Sequence, residues 1–292
     1  MGIIKRLIYK IIDNKIDKIT LMYLNEQELN ILYHALNLNH SLKELGLPSN
    51  QIEDITPLKF LENKPFLKIL DLSYNKIENI TPLNFLSNSC LQILDLSKNQ
   101  IEDITPLKFL ENKSFLKILN LSRNKIKDIT PLKFLSNSCL QELNLSFNKI
   151  KEITPLKFLS NSCLEYLNLS CNQIEDISPL KFLSISCLRI LDLSYNFIKD
   201  ISPLKNLSNY CLQKIWISGN KIEDITPLKF LSNSCLEYLN LSENKMKDIA
   251  PLKFLSNSCL KELDLSDNQI NDQDKQKIIE FSKLKQIKLL YI

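Results

Sequence analysis

Residues 91–110 read LQILDLSKNQIEDITPLKFL, and close copies of this stretch recur between residues 42 and 270. Each copy has leucines three and five residues apart, then Ser-x-Asn, and the successive asparagines lie 24 or 25 residues apart. A fixed period of this length is typical of a solenoid, in which each repeat buries its apolar face only against its neighbours. The repeats therefore predict one elongated α/β domain. The aligned asparagines are Asn50, Asn75, Asn99, Asn124, Asn148, Asn172, Asn196, Asn220, Asn244 and Asn268.

Each copy predicts a short strand, because its leucines alternate with other residues at a period of two. Leu70 and Leu72 are expected to point inward, while Ile69 and Asp71 lie on the opposite face. The asparagine follows at the turn, where its amide can satisfy backbone groups that burial would leave unpaired. We expect a parallel sheet of such strands, with the asparagines in a structural role.

A hydroxyl residue and a proline follow in most copies, as at Thr105 and Pro106. A hydroxyl cap before proline is a signal for the start of a helix, so a short helix capped by the threonine is predicted here. Ala250 replaces the hydroxyl residue, so its turn is expected to be the loosest. A phenylalanine recurs once per copy, as at Phe109, and predicts a stacked apolar spine.

The pattern Leu-x-x-Leu-x-Leu-x-x-Asn-x-Ile resembles the leucine-rich repeat family. The continuation IEDITPL at residues 101–107 resembles the internalin-like and phosphatase-regulator-like subgroup of that family. The resemblance implies a leucine-rich repeat solenoid, a curved horseshoe with its parallel β-sheet on the concave face and short helices or 3-10 turns on the convex face. It also implies protein recognition and supplies no catalytic residues.

Both ends of the chain depart from the repeat. We predict an N-terminal helical cap and atypical first repeat at residues 1–41, a ten-repeat array at 42–270, and a C-terminal cap at 271–292. Ile4, Leu7, Ile8 and Ile11 share one helical face at the N-terminus, which predicts a cap or, alternatively, a weak membrane-surface anchor. Residues 26–36 and 272–281 also have helical patterns, and residues 284–289 predict a last strand.

The balance of charge argues against several classes of partner. The chain has 37 basic and 33 acidic residues, a net charge of +4, which gives no electrostatic reason to expect nucleic acid. No uncharged run approaches the roughly 18 apolar residues of a membrane span. Charges interrupt the apolar stretch at the N-terminus, so no signal peptide is predicted and a cytoplasmic location is expected.

Cysteines occupy one slot of the repeat, directly before its first leucine. Phe66 and Phe115 occupy the same slot in two copies, so we interpret it as a buried apolar position holding reduced thiols. A ladder of disulfides or metal ligands is the alternative. The cysteines in this slot are Cys90, Cys139, Cys163, Cys187, Cys211, Cys235 and Cys259.

One aromatic residue stands out on the predicted concave face. Trp216 is the only tryptophan, and it occupies a slot that the other copies fill with Asp, Asn or Gly. Stacking is expected to bring it near aromatic and apolar residues of both neighbours, which is the composition of an interface hot spot. Alternatively, Trp216 lies flat and fills a gap left by Asn206 or Gly219. The candidate partner-binding residues are Trp216, Tyr195, Tyr238, Ile190 and Tyr166, with a weaker second patch at Ile69, Ile93, Ile118 and Tyr74.

No pair of nucleophile and base, glycine-rich phosphate loop or close metal-ligand spacing is apparent, so we predict no enzyme activity, no cofactor and no metal site. The leading hypothesis is a monomeric scaffold that recognises a protein partner through the concave sheet. Two alternatives stay open. One is a regulatory subunit that docks on an enzyme such as a protein phosphatase. The other is a secreted internalin-like adhesin or effector.

Overall fold

The computed structural model describes residues 2–111, 113–160, 162–183, 187–207, 211–232, 234–257 and 259–290. Two units are distinguished, Met1–Leu143 and Asn144–Ile292, and each is described by itself. Both are built from in-register parallel strands that alternate with short 3-10 helices, and this confirms the predicted class of fold.

The first unit begins with two helices, α1 (Gly2–Ile12) and α2 (Glu26–Leu38), on either side of strand β1 (Lys18–Thr20). Strand β1 pairs with β2 (Glu44–Gly46), and the strand order then follows the chain. The further strands of this unit are β3 (Ile69–Asp71), β4 (Ile93–Asp95) and β5 (Ile118–Asn120), while β6 (Glu142–Asn144) crosses the division between the units. The 3-10 helices here are Thr56–Asn63, Thr81–Asn88, Thr105–Leu110 and Thr130–Leu135.

The second unit repeats the same alternation up to helix α3 (Asp272–Lys285) and the last strand β12 (Lys288–Leu289). Its other strands are β7 (Tyr166–Asn168), β8 (Ile190–Asp192), β9 (Lys214–Trp216), β10 (Tyr238–Asn240) and β11 (Glu262–Asp264). Its 3-10 helices are Thr154–Leu159, Ser178–Leu183, Ser202–Leu207, Thr226–Leu231 and Ala250–Asn257.

Leucine and isoleucine side chains form the interior of every repeat. In the copy at residues 91–110, seven of these side chains are at most 1% exposed, while Ile93 lies on the other face of the strand and is half-buried. Burying each one stabilises the fold by roughly 1.5–3 kcal/mol, so the repeated apolar positions are enough to determine the stacking. The residues concerned are Leu91, Leu94, Leu96, Ile101, Ile104, Leu107 and Leu110.

The asparagines form the predicted structural ladder. Asn99 is buried, and its Nδ2 donates to the carbonyl oxygens of Leu72 and Leu96, both at 3.0 Å. Its Oδ1 accepts the N–H of Ile77 at 3.0 Å. One side chain thus satisfies backbone groups of its own repeat and of the preceding one, which confirms the prediction.

The predicted threonine cap is wrong. The 3-10 helix begins at Thr130 itself, after Ile129, without a side-chain cap on that residue. The carboxylate of Asp128 accepts the Thr130 N–H at 2.7 Å instead. This hydrogen bond uses only the backbone N–H of the residue two positions after the aspartate. The N–H of Ala250 therefore donates to the carboxylate of Asp248 in the same way, at 2.8 Å. The loss of a hydroxyl at position 250 therefore does not remove the contact that starts the helix.

The interpretation of the cysteine slot as a buried position is also wrong. Cys139, Cys163, Cys187 and Cys259 are exposed, and Cys90, Cys211 and Cys235 are half-buried. Phe66 and Phe115 in the same slot are 60% and 55% exposed. The leucine directly after the slot is buried, as at Leu67 and Leu116, so the chain turns its apolar side inward only from that leucine onward.

The recurring phenylalanines are only partly buried. Phe60 and Phe109 are 8% exposed, but Phe230 is 38% exposed and has the Lys229 ammonium 5.1 Å from its ring centroid. These phenylalanines therefore do not form a continuous apolar spine. The lysine beside the ring keeps that face of the helix at the surface.

The two ends of the chain follow the predicted pattern with one correction. Ile11 of α1 is fully buried, and α1 packs on α2, which fits the cap interpretation. The side chain of Ile4 lies outside the described residues. The C-terminal helix continues through Leu284, which is 77% exposed, so the predicted strand at residues 284–289 is wrong in its first half.

Candidate functional site

The second unit presents three rows of side chains, two on the face of its sheet opposite to the buried leucines and one just beyond the ends of the strands. They are the third, fifth and eighth positions of successive repeats, counted from the first leucine. The strand register aligns Tyr166, Ile190, Lys214, Tyr238 and Glu262 in the third-position row. It aligns Asn168, Asp192, Trp216, Asn240 and Asp264 in the fifth-position row. The eighth-position row is Cys171, Tyr195, Gly219, Glu243 and Asp267.

Trp216 and Tyr238 form an aromatic pair at the centre of these rows. Their ring centroids lie 5.3 Å apart with the planes tilted by 43°, a favourable separation for aromatic contact. Both side chains are half-buried. Each ring therefore keeps one part against the protein and leaves another part open to contact.

The fifth position has a structural task that Trp216 does not perform. In the neighbouring repeats, Asp192 and Asn240 accept the N–H of the serine two residues later, both at 2.9 Å. Such a contact holds the chain as it leaves the strand. The indole of Trp216 has no acceptor oxygen. At this repeat, an aromatic ring therefore stands in place of the side-chain oxygen that accepts the serine N–H in the neighbouring repeats.

Tyr195 connects three successive repeats of the eighth-position row. Its ring lies over Gly219, where a Cβ atom would come within 2.5 Å of Tyr195 Cδ1. Its hydroxyl donates to Glu243 Oε1 at 2.7 Å, and this bond raises the pKa of Tyr195 above its ordinary value. Tyr195, and not Trp216, therefore occupies the space above Gly219.

The remaining candidates border the aromatic pair. Ile190 lies directly opposite Lys214 in the adjacent strand and is half-buried. The Tyr166 hydroxyl accepts a hydrogen bond from Asn168 Nδ2 at 3.0 Å, which turns this ring toward the fifth-position row. The structure thus aligns Tyr166, Ile190, Trp216 and Tyr238 on one face of the strands, and Trp216 and Tyr238 are in ring contact. Tyr195 lies beyond the end of its strand.

Gly219 and Glu243 are among the outward positions that the repeat predicts, but their contacts with Tyr195 were not predicted. Gly219 is the only glycine in the eighth position of the repeats. This position has a positive φ throughout, with values of 55° at Tyr195 and 63° at Gly219. The other copies adopt this conformation with residues that have a side chain, so the backbone does not require a glycine here. The glycine instead leaves space for the ring of Tyr195.

The second predicted patch lies in the first unit. Ile69, Ile93 and Ile118 are aligned by the strand register and are half-buried. Tyr74 is 53% exposed, and the Lys98 ammonium lies 3.4 Å from its ring centroid. The lysine covers the aromatic face, which makes this patch less suited to bind an apolar side chain.

The described part of the chain contains no group of three or more His, Cys, Asp or Glu side chains arranged to hold a metal ion. None of the described helices combines the length and the apolar character that crossing a membrane requires.

Models of the leucine-rich repeat match most of the chain. The "Leucine rich repeat" model matches residues 40–101, 65–114, 91–150, 162–204 and 211–270. The two-copy model matches residues 140–182 and 188–230, and a third, single-repeat model matches residues 259–284. No curated protein matches the chain.

Solved structures of two internalins from Listeria monocytogenes strain 4b F2365 are similar to this chain. The internalin inlF is 30% identical with a TM-score of 0.72, and the match covers 98% of this chain and 86% of inlF. The internalin inlC2 is 35% identical with a TM-score of 0.54, and the match covers 67% of this chain and 77% of inlC2. The APL1 leucine-rich repeat domain, at 23% identity and a TM-score of 0.60 over 82% of this chain and 59% of its own, shares the fold.

Proposed function

This chain belongs to the leucine-rich repeat family, and we propose that it is a non-catalytic scaffold that recognises a protein partner through the exposed face of its sheet. Leucine-rich repeat domains serve generally as scaffolds for protein interaction. The stacked strands offer an extended surface on which side chains from successive repeats act together.

The single observation that carries the proposal is the Trp216–Tyr238 pair. Aromatic side chains provide most of the binding energy of many interfaces, and they act best when partly buried among their neighbours. Trp216 replaces the Asp or Asn that holds the end of the strand in adjacent repeats. A residue that removes a local structural contact and adds an accessible ring fits a role in binding better than a role in folding.

The charges around the pair indicate the chemistry of the partner. Glu243 and Asp267 are exposed in the eighth-position row, Asp192 is half-buried next to Trp216, and Lys214 is exposed beside Tyr238. A partner segment with an apolar or aromatic anchor for the Trp216–Tyr238 pair and a basic residue beside it would complement this surface. Polar contacts of this kind fix orientation, while the anchor supplies most of the affinity.

The similarity to inlF over 98% of the chain favours a second candidate, an internalin-like adhesin or effector. This candidate uses the same surface and differs in where the partner resides. A partner exposed on a host cell would support it, whereas a partner from the cytoplasm of the source cell would support the scaffold with the cytoplasmic location expected above.

Photochemical cross-linking tests the proposed surface directly. A photoreactive amino acid at Lys214, which is exposed between Ile190 and Tyr238, should capture the partner from a source-cell lysate. The same label at Ile93 in the first unit provides the matched control. Capture at position 214 and not at position 93 supports the proposal, and capture at position 93 alone contradicts it.

A pair of substitutions drawn from the repeat itself gives a second test. Trp216→Asn and Tyr238→Glu introduce residues that other repeats already have in these slots, so the fold should persist. The double variant should lose the cross-linked partner, while Ile69→Glu with Ile93→Glu should retain it. Equal retention by both double variants would overturn the assignment of this surface.

A further inference from the structure

A row of thiols runs along the second unit where its strands begin. The strand register aligns Ile190, Lys214 and Tyr238, and three residues before each of them stands a cysteine. Adjacent parallel strands lie about 4.8 Å apart. Disulfides join residues whose Cα atoms are about 4.4–6.8 Å apart, so neighbours in this row have a suitable backbone separation. The row comprises Cys163, Cys187, Cys211, Cys235 and Cys259.

Cys187 and Cys211 are in direct contact within this row. Their side chains share a hydrogen bond, and the Cys235 thiol lies close enough to act electrostatically on Cys211. Burial raises the pKa of the Cys211 thiol, and the hydrogen bond to Cys187 and the charges of both neighbouring thiols add to the rise. Cys211 is half-buried and Cys187 is exposed, so the two members of the pair differ in their access to reagents.

We propose that Cys187 and Cys211 are a redox-sensitive pair that a peroxide converts into a disulfide between adjacent repeats. The exposed Cys187 is the thiol that the oxidant reaches. The reactive form of that thiol is the thiolate, and the half-buried Cys211 lies beside it in the next repeat of the row. This modification is independent of the proposed binding surface.

The reaction proceeds in two balanced steps. The Cys187 thiolate attacks one oxygen of hydrogen peroxide, the O–O bond breaks, and the products are a sulfenic acid on Cys187 and hydroxide. The Cys211 sulfur then attacks the sulfenic sulfur, the S–O bond breaks, and the hydroxyl leaves as water with the proton of Cys211. The two thiols are oxidised by two electrons in all, and the peroxide is reduced.

Mass spectrometry of the full chain treated with hydrogen peroxide tests this inference. Trypsin places the two cysteines in separate peptides, residues 182–189 and 206–214, because Lys181, Arg189, Lys205 and Lys214 bound them. The linked pair of peptides should appear before the peptides that join Cys211 to Cys235 or Cys235 to Cys259. A thiol reductant should return it to the separate peptides.

Single serine variants identify the members of the pair. Cys187→Ser and Cys211→Ser should each abolish the linked product, while Cys259→Ser in the same row should leave it unchanged. Because Cys187 and Cys259 are exposed and Cys211 is only half-buried, the variants should melt close to the temperature of the wild-type protein. Independent conversion of the thiols to sulfinic acid without the linked peptide would overturn the inference, as would cross-links that form only between two chains.

Discussion

Tyr195 and Glu243 are joined by a hydrogen bond that passes over an entire repeat, with Oη donating to Oε1 at 2.7 Å. Gly219 occupies the repeat between them and lies beneath the tyrosine ring. The absence of a side chain at position 219 is what lets the ring lie flat and reach Glu243. Tyr195, Gly219 and Glu243 thus connect three successive repeats, and no other repeat has glycine or glutamate in this position.

Gly219→Ala should lower the free energy of unfolding by roughly 1–3 kcal/mol, because the new methyl group overlaps the ring of Tyr195. Chemical denaturation of the variant measures this change. The control is the same substitution in a Tyr195→Ala background, where only the cost of the positive φ at position 219 remains. An equal cost in both backgrounds would show that the ring does not depend on the glycine.

Glu243→Gln should lower the pKa of Tyr195 toward its ordinary value, since the hydrogen bond to the carboxylate is the main cause of the rise. The pKa of Tyr195 in the folded protein lies above its unfolded value of 10.0, so the hydrogen bond stabilises the fold below pH 10.0. This stability is lost as the pH rises through the folded pKa, where the tyrosine ionises. Absorbance titration at alkaline pH, corrected with Tyr195→Phe, measures the pKa. An identical titration of Tyr195 in the wild type and in Glu243→Gln would refute the assigned cause.

Asn99→Leu should cost roughly 1–3 kcal/mol for each backbone group that it leaves buried and unpaired. Thermal or urea unfolding measures the loss. Asn268→Leu is the matched comparison, because its contacts to Leu241 and Leu265 are only partly buried and water can replace them. The ladder account requires a clearly larger loss for Asn99→Leu, and a similar loss at both positions would contradict it.

Asp128→Ala should destabilise the start of its 3-10 helix by about 1 kcal/mol, as the loss of a cap does. Hydrogen bonds from the Thr130 hydroxyl and then from its backbone N–H hold the pKa of Asp128 below its usual value of 3.8. A lowered folded pKa contributes stability that is present above the unfolded value and is lost as the pH falls through the folded one. Thr130→Val should raise the pKa of Asp128 in a nuclear magnetic resonance titration, and no change would exclude the hydroxyl as its first cause.

The periodic features of the fold were predictable from sequence because the repeat shows the same residue in the same environment many times. Leu94 and Leu96 are buried and Asn99 bridges two repeats, as their recurrence indicates. Recurrence alone does not show whether a position is buried, however. The cysteine slot recurs as regularly as the leucine slots, yet Phe66 in that slot is 60% exposed.

The candidate site was predictable in part. Strand alternation fixes which side chains share a face, so the third and fifth positions of the repeats could be assigned to one face from the sequence. Stacking of the repeats predicted that Trp216 lies near Tyr238, and the two rings are in contact on a diagonal between adjacent strands. The hydrogen bond from Tyr195 to Glu243 could not be predicted from strand order, since it depends on the rotamer of Tyr195.

The central claim is that the Trp216–Tyr238 surface binds a protein partner, and the affinity of Trp216→Asn for the captured partner tests it most directly. Titration calorimetry should show a loss of roughly 2 kcal/mol or more, about thirtyfold in Kd. The melting temperature should be unchanged or higher, because the new asparagine can accept the Ser218 N–H as Asp192 and Asn240 accept their serine N–H groups in the adjacent repeats. An unchanged Kd in a folded Trp216→Asn variant would contradict the account.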